Sequence, residues 1–318
     1  MPHNNPTAEN MRMLTGSSSA DHDMCSYLVD IWGAVKDVDV NGNLLKDLIL
    51  RYVETEAQMK TLNEELNRRR KALLEEFAVA AGIQKNLLPT SLPESELFEV
   101  AYKFLPCEQV GGDLVGMHRL DDQNWIAWVV DVAGHGAGAA MMTVAVADFL
   151  QPSSRLNFLQ PSAVIEALDR EFPFSKTGTF FTIIYGIVNL VEQTFTFANS
   201  GHPSPVLLQP QCLPKFIDGS GPMLGVGFSC RWPETKVDLN GGKSLLLYTD
   251  GLVECIGKNE HIFGEERLLE MLDRLQDQPP HCLADLIMSE MYEFMGGKKF
   301  QDDFTFLILK AANREKTA

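Results

Sequence analysis

Between Leu44 and Leu88 the chain carries no proline and a single glycine, Gly82, before Pro89 ends the stretch. Leu45, Tyr52, Met59, Leu66, Leu73, Ala80 and Leu87 recur every seven residues across it, and Leu48, Leu62 and Ile83 fill several partner positions. That period is a coiled-coil seam, imperfect where Thr55, Arg69 and Glu76 interrupt it. A helix of about 45 residues is ~65 Å long, longer than a small domain is wide. Packing it along its whole length on its own domain is therefore disfavoured, and a dimeric coiled coil is expected. Asn43, at the end of the turn signal Val40-Asn41-Gly42-Asn43, suits its N-cap. Arg68-Arg69-Arg70-Lys71 lies beside Glu64, Glu65, Glu75 and Glu76 at pairing distance. It reads as a solvated helix face rather than a site for nucleic acid or lipid.

On either side the pattern changes. Residues 1 to about 22 are polar, and Met24 to Val38 is mildly apolar enough for a short helix. Beyond Pro93, Phe98–Leu105, Asn124–Val132, Thr179–Leu190, Thr194–Ala198, Pro205–Leu208, Ser244–Tyr248 and Phe304–Leu309 read as strands. Gly136–Leu150, Ser162–Phe172, Gly264–Leu275 and Leu283–Met295 read as helices, in two pairs. This order predicts an α+β fold with helices packed on antiparallel sheets. The expected organisation is a tail with a short helical regulatory segment (1–42), a dimeric linker helix (43–89), a globular domain (90–312) and a C-terminal tail (313–318). Trp125, Trp128, Phe180 and Phe181 are expected in its core.

The net charge of −16 disfavours non-specific binding to nucleic acid or to anionic membranes. The six cysteines form no close pair and no Cys-x-x-Cys, so they read as reduced thiols rather than a disulfide framework or zinc site. Nothing marks Cys107 or Cys255 as reactive. No leader pattern opens the sequence, and no apolar run approaches the ~20 residues that cross a bilayer. A cytoplasmic protein is expected.

Four aspartates stand at strand–loop junctions: Asp113 in Gly-Gly-Asp, Asp131 in Val-Val-Asp-Val-Ala-Gly-His-Gly, Asp250 in Leu-Tyr-Thr-Asp-Gly and Asp302 in Gln-Asp-Asp-Phe-Thr. Strand ends can gather such carboxylates at one rim, where they repel one another unless a cation lies between them. Hard divalent ions prefer oxygen ligands of this kind. Asp131 alone would pass for a turn former. The glycines after it let the backbone approach an ion or phosphate closely. The motifs carry weight together and in this order.

Together they resemble the metal-dependent PPM protein phosphatases, in the bacterial SpoIIE/RsbU-like branch. The resemblance runs from about Ile83 to Lys310. It rests on Leu87-Leu88-Pro89, Gly111-Gly112-Asp113, Asp131 to Gly136, Phe197 to Pro203, Gly221 to Val226, Tyr248-Thr249-Asp250-Gly251 and Asp302-Asp303-Phe304-Thr305. It implies a sandwich of two antiparallel sheets flanked by helix pairs. It also implies two divalent cations, Mn2+ or Mg2+. Asp131 is then the bridging ligand, the Val132 carbonyl binds one ion, Asp250 and Asp302 bind the other, and Asp113 joins directly or through water. Catalysis rests on Asp131, Asp250 and Asp302, with an activated water as the nucleophile attacking phosphorus in line.

Gly134, His135, Gly136 and Asp303 are expected to support substrate or loop. His135 is read as stabilising its turn rather than as a general acid, and His202 as structural, bonding buried backbone. The family pattern often has a second acid at position 116, where this chain has Gly116. The implied activity is a serine/threonine protein phosphatase. Its substrate would be a phosphorylated STAS-domain antagonist of an anti-sigma factor, with an upstream protein or signal acting on the N-terminal region. The rivals are a non-catalytic, partner-binding member of the fold and a small-molecule phosphohydrolase.

Overall fold

Leu245 and Leu247 face one side of their strand and Leu246 and Tyr248 the other, yet all four are buried. Successive side chains of a strand point to opposite faces, so a strand apolar on both faces needs a layer on each side. The computed structural model supplies those layers. It describes residues 42–90, 92–93, 98–134, 136–153, 156–227 and 230–312, with backbone alone for 42–46. The expected N-terminal tail and short helix, the C-terminal tail 313–318 and His135 lie outside the described residues.

The long helix α1 runs from Gly42 to Asn86, beginning one residue before the expected cap Asn43. It is followed by β1 (Phe98–Leu105), β2 (Asp113–Arg119), β3 (Asn124–Val132), α2 (Ala137–Phe149), α3 (Pro161–Glu171) and the single turn α4 (Phe174–Thr177). Then come β4 (Phe181–Asn189), β5 (Thr194–Ser200), β6 (Val206–Leu208), β7 (Lys215–Phe216), β8 (Ser220–Gly221), β9 (Glu234–Asp238) and β10 (Ser244–Tyr248). The chain closes through α5 (Gly264–Leu275), α6 (Pro280–Met295) and β11 (Phe304–Ala311).

One sheet has the order β1-β11-β10-β6-β7, antiparallel throughout. The other has the order β2-β3-β4-β5-β8, with β9 also paired to β5. Its parallel pairing, β5 with β8, covers two residues of each strand. Three apolar layers result. Val115, Val129, Ile184, Phe197, Leu247 and Leu309 fill the space between the sheets. Trp128, Val130, Ile183 and Tyr185 meet α2 and α3 on one outer face. Phe306 and Ile308 meet α5 and α6 on the other. This is the expected α+β sandwich with its helix pairs.

The chain divides into two compact units, residues 1–76 and 77–318. In the first, the seam residues Leu48, Tyr52, Met59, Leu62, Leu66 and Leu73 are 45–64% exposed. In the second, Leu87 and Leu88 pack against the core and Gln84 is buried. Trp125, Trp128 and Phe181 are core residues as expected, but Phe180 is 39% exposed. Phe180 precedes the first residue of β4, and the pleat that buries Phe181 turns its neighbour outward.

Candidate metal centre

Asp113 and Asp131 are direct partners across β2 and β3, and Asp131 is in turn opposite Thr182 on β4. This places two of the four expected carboxylates side by side at one end of a sheet. The other two come from the second sheet. Asp250 opens a short 3-10 turn directly after Thr249 at the end of β10, and Asp302 lies two residues before β11. The turn is tight enough that a Cβ on Gly251 would lie 2.0 Å from the Asp303 carbonyl oxygen. Val253 and Glu254 both donate their N–H groups to the Asp250 carbonyl, fixing the turn.

The two sheet ends are stitched together. The Thr249 hydroxyl donates to Asp113 Oδ2 at 2.7 Å and itself accepts from the Thr305 N–H at 3.1 Å. Asp303 is buried, and its carboxylate accepts from the N–H groups of Cys107 at 2.8 Å, Gly112 at 2.5 Å and Asp113 at 3.3 Å. Of the residues expected to support substrate or loop, Asp303 thus has a defined part: it shapes the Gly111-Gly112-Asp113 loop. A Cβ on Gly111 would strike the Asp303 carboxylate, and one on Gly112 would lie 2.6 Å from the Val132 carbonyl oxygen. Gly134 and Gly136, with φ of 94° and 80°, carry the turn after Asp131 into α2.

Sequence reasoning missed Gln84. Its Nε2 donates to the Gly111 carbonyl at 2.8 Å and to Thr143 Oγ1 on α2 at 3.1 Å, while its Oε1 accepts from the Gly111 N–H at 3.1 Å. One buried amide near the C-terminal end of α1 therefore holds both the Asp113 loop and α2. The signal was a polar residue inside an apolar period, between Ile83 and Leu87. Glu254 was also missed. It follows Asp250 by four residues and adds negative charge beside both Asp131 and Asp250.

Burial is the first cause that lifts these carboxyls, and like charge is the second. Asp131 is raised to about 7, with Asp250, Asp302, Asp303 and Glu254 adding to the burial. Asp250 is raised to about 6 by burial, Asp302 and Glu254. Asp113 is raised by burial, Asp131 and Asp303, against the opposing hydrogen bonds of Thr249 and Thr305. Burial, then Asp303, pushes the Cys107 thiol up to about 12, which leaves it unreactive.

A carboxyl whose folded pKa lies above its unfolded value stabilises the fold while protonated and loses that contribution as pH rises. For Asp131 and Asp250 the window runs from about pH 4 to about pH 7. The metal-free protein should therefore melt at a lower temperature at pH 7.5 than at pH 5, and added Mn2+ should remove most of the difference. Thermal melts in chelator across that range test this; a metal-free melting temperature that climbs from pH 5 to pH 7.5 contradicts it.

Among the described residues, no three acidic, imidazole or thiol side chains close around one point as a finished metal cage. The donor chemistry nevertheless fits a hard cation. The charges acting most strongly on Asp131 are four other carboxylates, and oxygen is the donor atom throughout.

The sequence profile of Stage II sporulation protein E (SpoIIE) matches residues 121–312. The chain belongs to the SpoIIE family. It is 26% identical over 241 residues to the phosphoserine phosphatase RsbU of Bacillus subtilis (strain 168), spanning 74% of this chain and 70% of RsbU. It is 23% identical over 242 residues to the phosphoserine phosphatase RsbP of the same organism, spanning 74% of this chain and 57% of RsbP. The solved SiaA-PP2C domain of Pseudomonas aeruginosa shares the fold, with a TM-score of 0.67 at 23% identity over 77% of this chain and 98% of that domain.

This SpoIIE-family chain is thus a PPM-type serine/threonine protein phosphatase, and the PPM phosphatases depend on Mn2+ or Mg2+. Its departure at Gly116 has a structural cause. Gly116 pairs with Trp128, and a Cβ there would lie 2.1 Å from the indole ring, so no aspartate fits.

Proposed function

We propose that the four carboxylates form a two-cation centre for Mn2+ or Mg2+. Asp131, the Val132 carbonyl, Asp250 and Asp302 would hold the ions, with Asp113 joining directly or through water. The observation that supports this is the strand pairing of Asp113 with Asp131, with the charges of Asp250 and Asp302 acting on Asp131 and that of Asp302 on Asp250. Bound there, the cations would stabilise the charge of the phosphoryl group in transfer and make water a better nucleophile. The protein's own part is positional. Thr249 orients Asp113, Asp303 shapes the loop before it, and Gly134 and Gly136 let the main chain turn close to the site.

The substrate is a phosphorylated STAS-domain protein that antagonises an anti-sigma factor, acted on in the cytoplasm. The likeness to RsbU and RsbP, both named phosphoserine phosphatases, supports a phosphoprotein substrate. Among the described residues no helix is long and apolar enough to cross a membrane. Residues 43–89 act as a dimeric linker between an N-terminal regulatory segment and a phosphatase domain at 90–312. The exposed seam of α1 supports the dimer, and the Gln84 contacts support control of the site through that helix.

With Mn2+ present, a serine-phosphorylated STAS protein should be turned over with kcat/KM at least ~100-fold above that for ATP or p-nitrophenyl phosphate, because remote binding energy is available only from a protein. Preference for the nucleotide would point to a small-molecule phosphohydrolase. Binding of the phosphoprotein with no hydrolysis of any substrate would point to a non-catalytic member.

A further inference from the structure

His202 is buried, 3% exposed, in the loop after β5, and it touches none of the four carboxylates by hydrogen bond. Its backbone is gripped from both sides by the buried Asn199 amide. His202 N–H donates to Asn199 Oδ1 at 2.9 Å, and Asn199 Nδ2 donates to the His202 carbonyl at 3.0 Å. The next turn is pinned as well, with Gly201 in a left-handed conformation donating to the Gly221 carbonyl at 2.8 Å.

The ring it holds is neutral: burial lowers its pKa to about 3, opposed only by the main chain of Tyr248. Nδ1 lies 2.8 Å from the Thr182 hydroxyl. Nε2 meets no partner at full hydrogen-bond geometry, and Tyr248 is the neighbouring main chain. The ring's bond is therefore to the Thr182 hydroxyl, where bonding to buried backbone was expected.

Those two neighbours give the contact its meaning. Thr182 is the strand partner of Asp131, and Tyr248 stands two residues before Asp250. Asp131 has one strand neighbour on each side, Asp113 and Thr182. Asp113 is tied to the end of β10 by the Thr249 hydroxyl. His202 braces the other side through the Thr182 hydroxyl, and its ring lies beside the Tyr248 main chain without a hydrogen bond to it.

We propose that His202 is a positioning residue: a strut that, held by the Asn199 clasp on its backbone, fixes Thr182 and so the adjoining Asp131 end of the sheet, and thereby sets the affinity for divalent cation. This rests on the metal centre proposed above. Partners of this kind, which orient ligands without binding the ion, typically contribute about 10–100-fold to metal affinity.

The test is Mn2+ binding to the full chain, measured by titration calorimetry or by the electron paramagnetic resonance signal of free Mn2+. His202→Ala should weaken binding at least ~10-fold, while activity at saturating Mn2+ stays within about threefold of wild type. His202→Asn, whose amide can occupy the Nδ1 position, should recover most of the affinity. Thr182→Val should weaken binding too, and adding His202→Ala to it should cost little more, because both remove one link. A folded His202→Ala protein that binds Mn2+ like wild type overturns the proposal. So does additivity with Thr182→Val, which can be read even if the alanine variant alone proves unstable. If wild type itself binds no Mn2+, the metal centre is wrong and the strut falls with it; tight wild-type binding with unaffected variants sinks the strut alone.

Discussion

Asp131→Asn and Asp250→Asn each lose at least ~10³-fold in turnover, and each melts at a higher temperature than wild type when metal is absent. Loss of a carboxylate from a centre whose function is to hold cations removes catalysis of this order. The gain in stability follows from the same charges. In the metal-free protein Asp131 and Asp250 are held well above the ordinary carboxyl range by burial and by one another's neighbours, so ionising them opposes folding. A neutral amide of the same shape relieves that repulsion. Steady-state kinetics on a phosphoprotein, paired with melts in chelator, read both effects. Near-normal turnover by Asp250→Asn rejects the assignment. Lost turnover with a lower metal-free melting temperature indicates damage to the fold instead.

Leu62→Glu combined with Leu66→Glu should convert the proposed dimer to a monomer and change the phosphatase rate without touching a carboxylate of the centre. Both leucines are more than half exposed in the single chain, at seam positions of α1. A second helix would bury them, and a carboxylate in such a seam has no partner to offset its desolvation. The route to the site is the far end of the same helix, where Gln84 holds the Gly111 carbonyl and Thr143 together. Coupling needs an element with two arrangements that both sites bias. The helix α2, bonded to Gln84 and following directly from the Asp131 turn, is the proposed element. Gln84→Ala should therefore uncouple rate from oligomeric state. Sedimentation velocity with parallel rate measurements tests the scheme. A monomeric wild type removes the dimer, and a monomeric double variant of unchanged rate removes the control.

The strands around the site were legible because they are buried on both faces and long enough to show it. Asn124–Val132 and Ser244–Tyr248 have the bounds their apolar runs announce. Asp113–Arg119 was not legible, because Gly116 and His118 break its run; the glycine is there to admit Trp128, a reason visible only across the strand pair. Glu234–Asp238 is a polar edge strand, and of its five residues Val237 alone is buried. The carboxylates announced themselves through their glycines. Gln84 and Thr182 did not, and the contacts of Thr249 and His202 were not legible either, since they depend on partners as many as 136 residues away.

The strand order β1-β11-β10 places β11 between two strands that precede it in the chain. Without residues 304–311, β1 has no strand partner and β10 keeps β6 alone. Asp302 and Asp303 directly precede that strand, and it carries the Thr305 N–H that braces Thr249. Loss of residues 304–311 would therefore strip a neighbour from two strands at once and remove the brace on Thr249 with them.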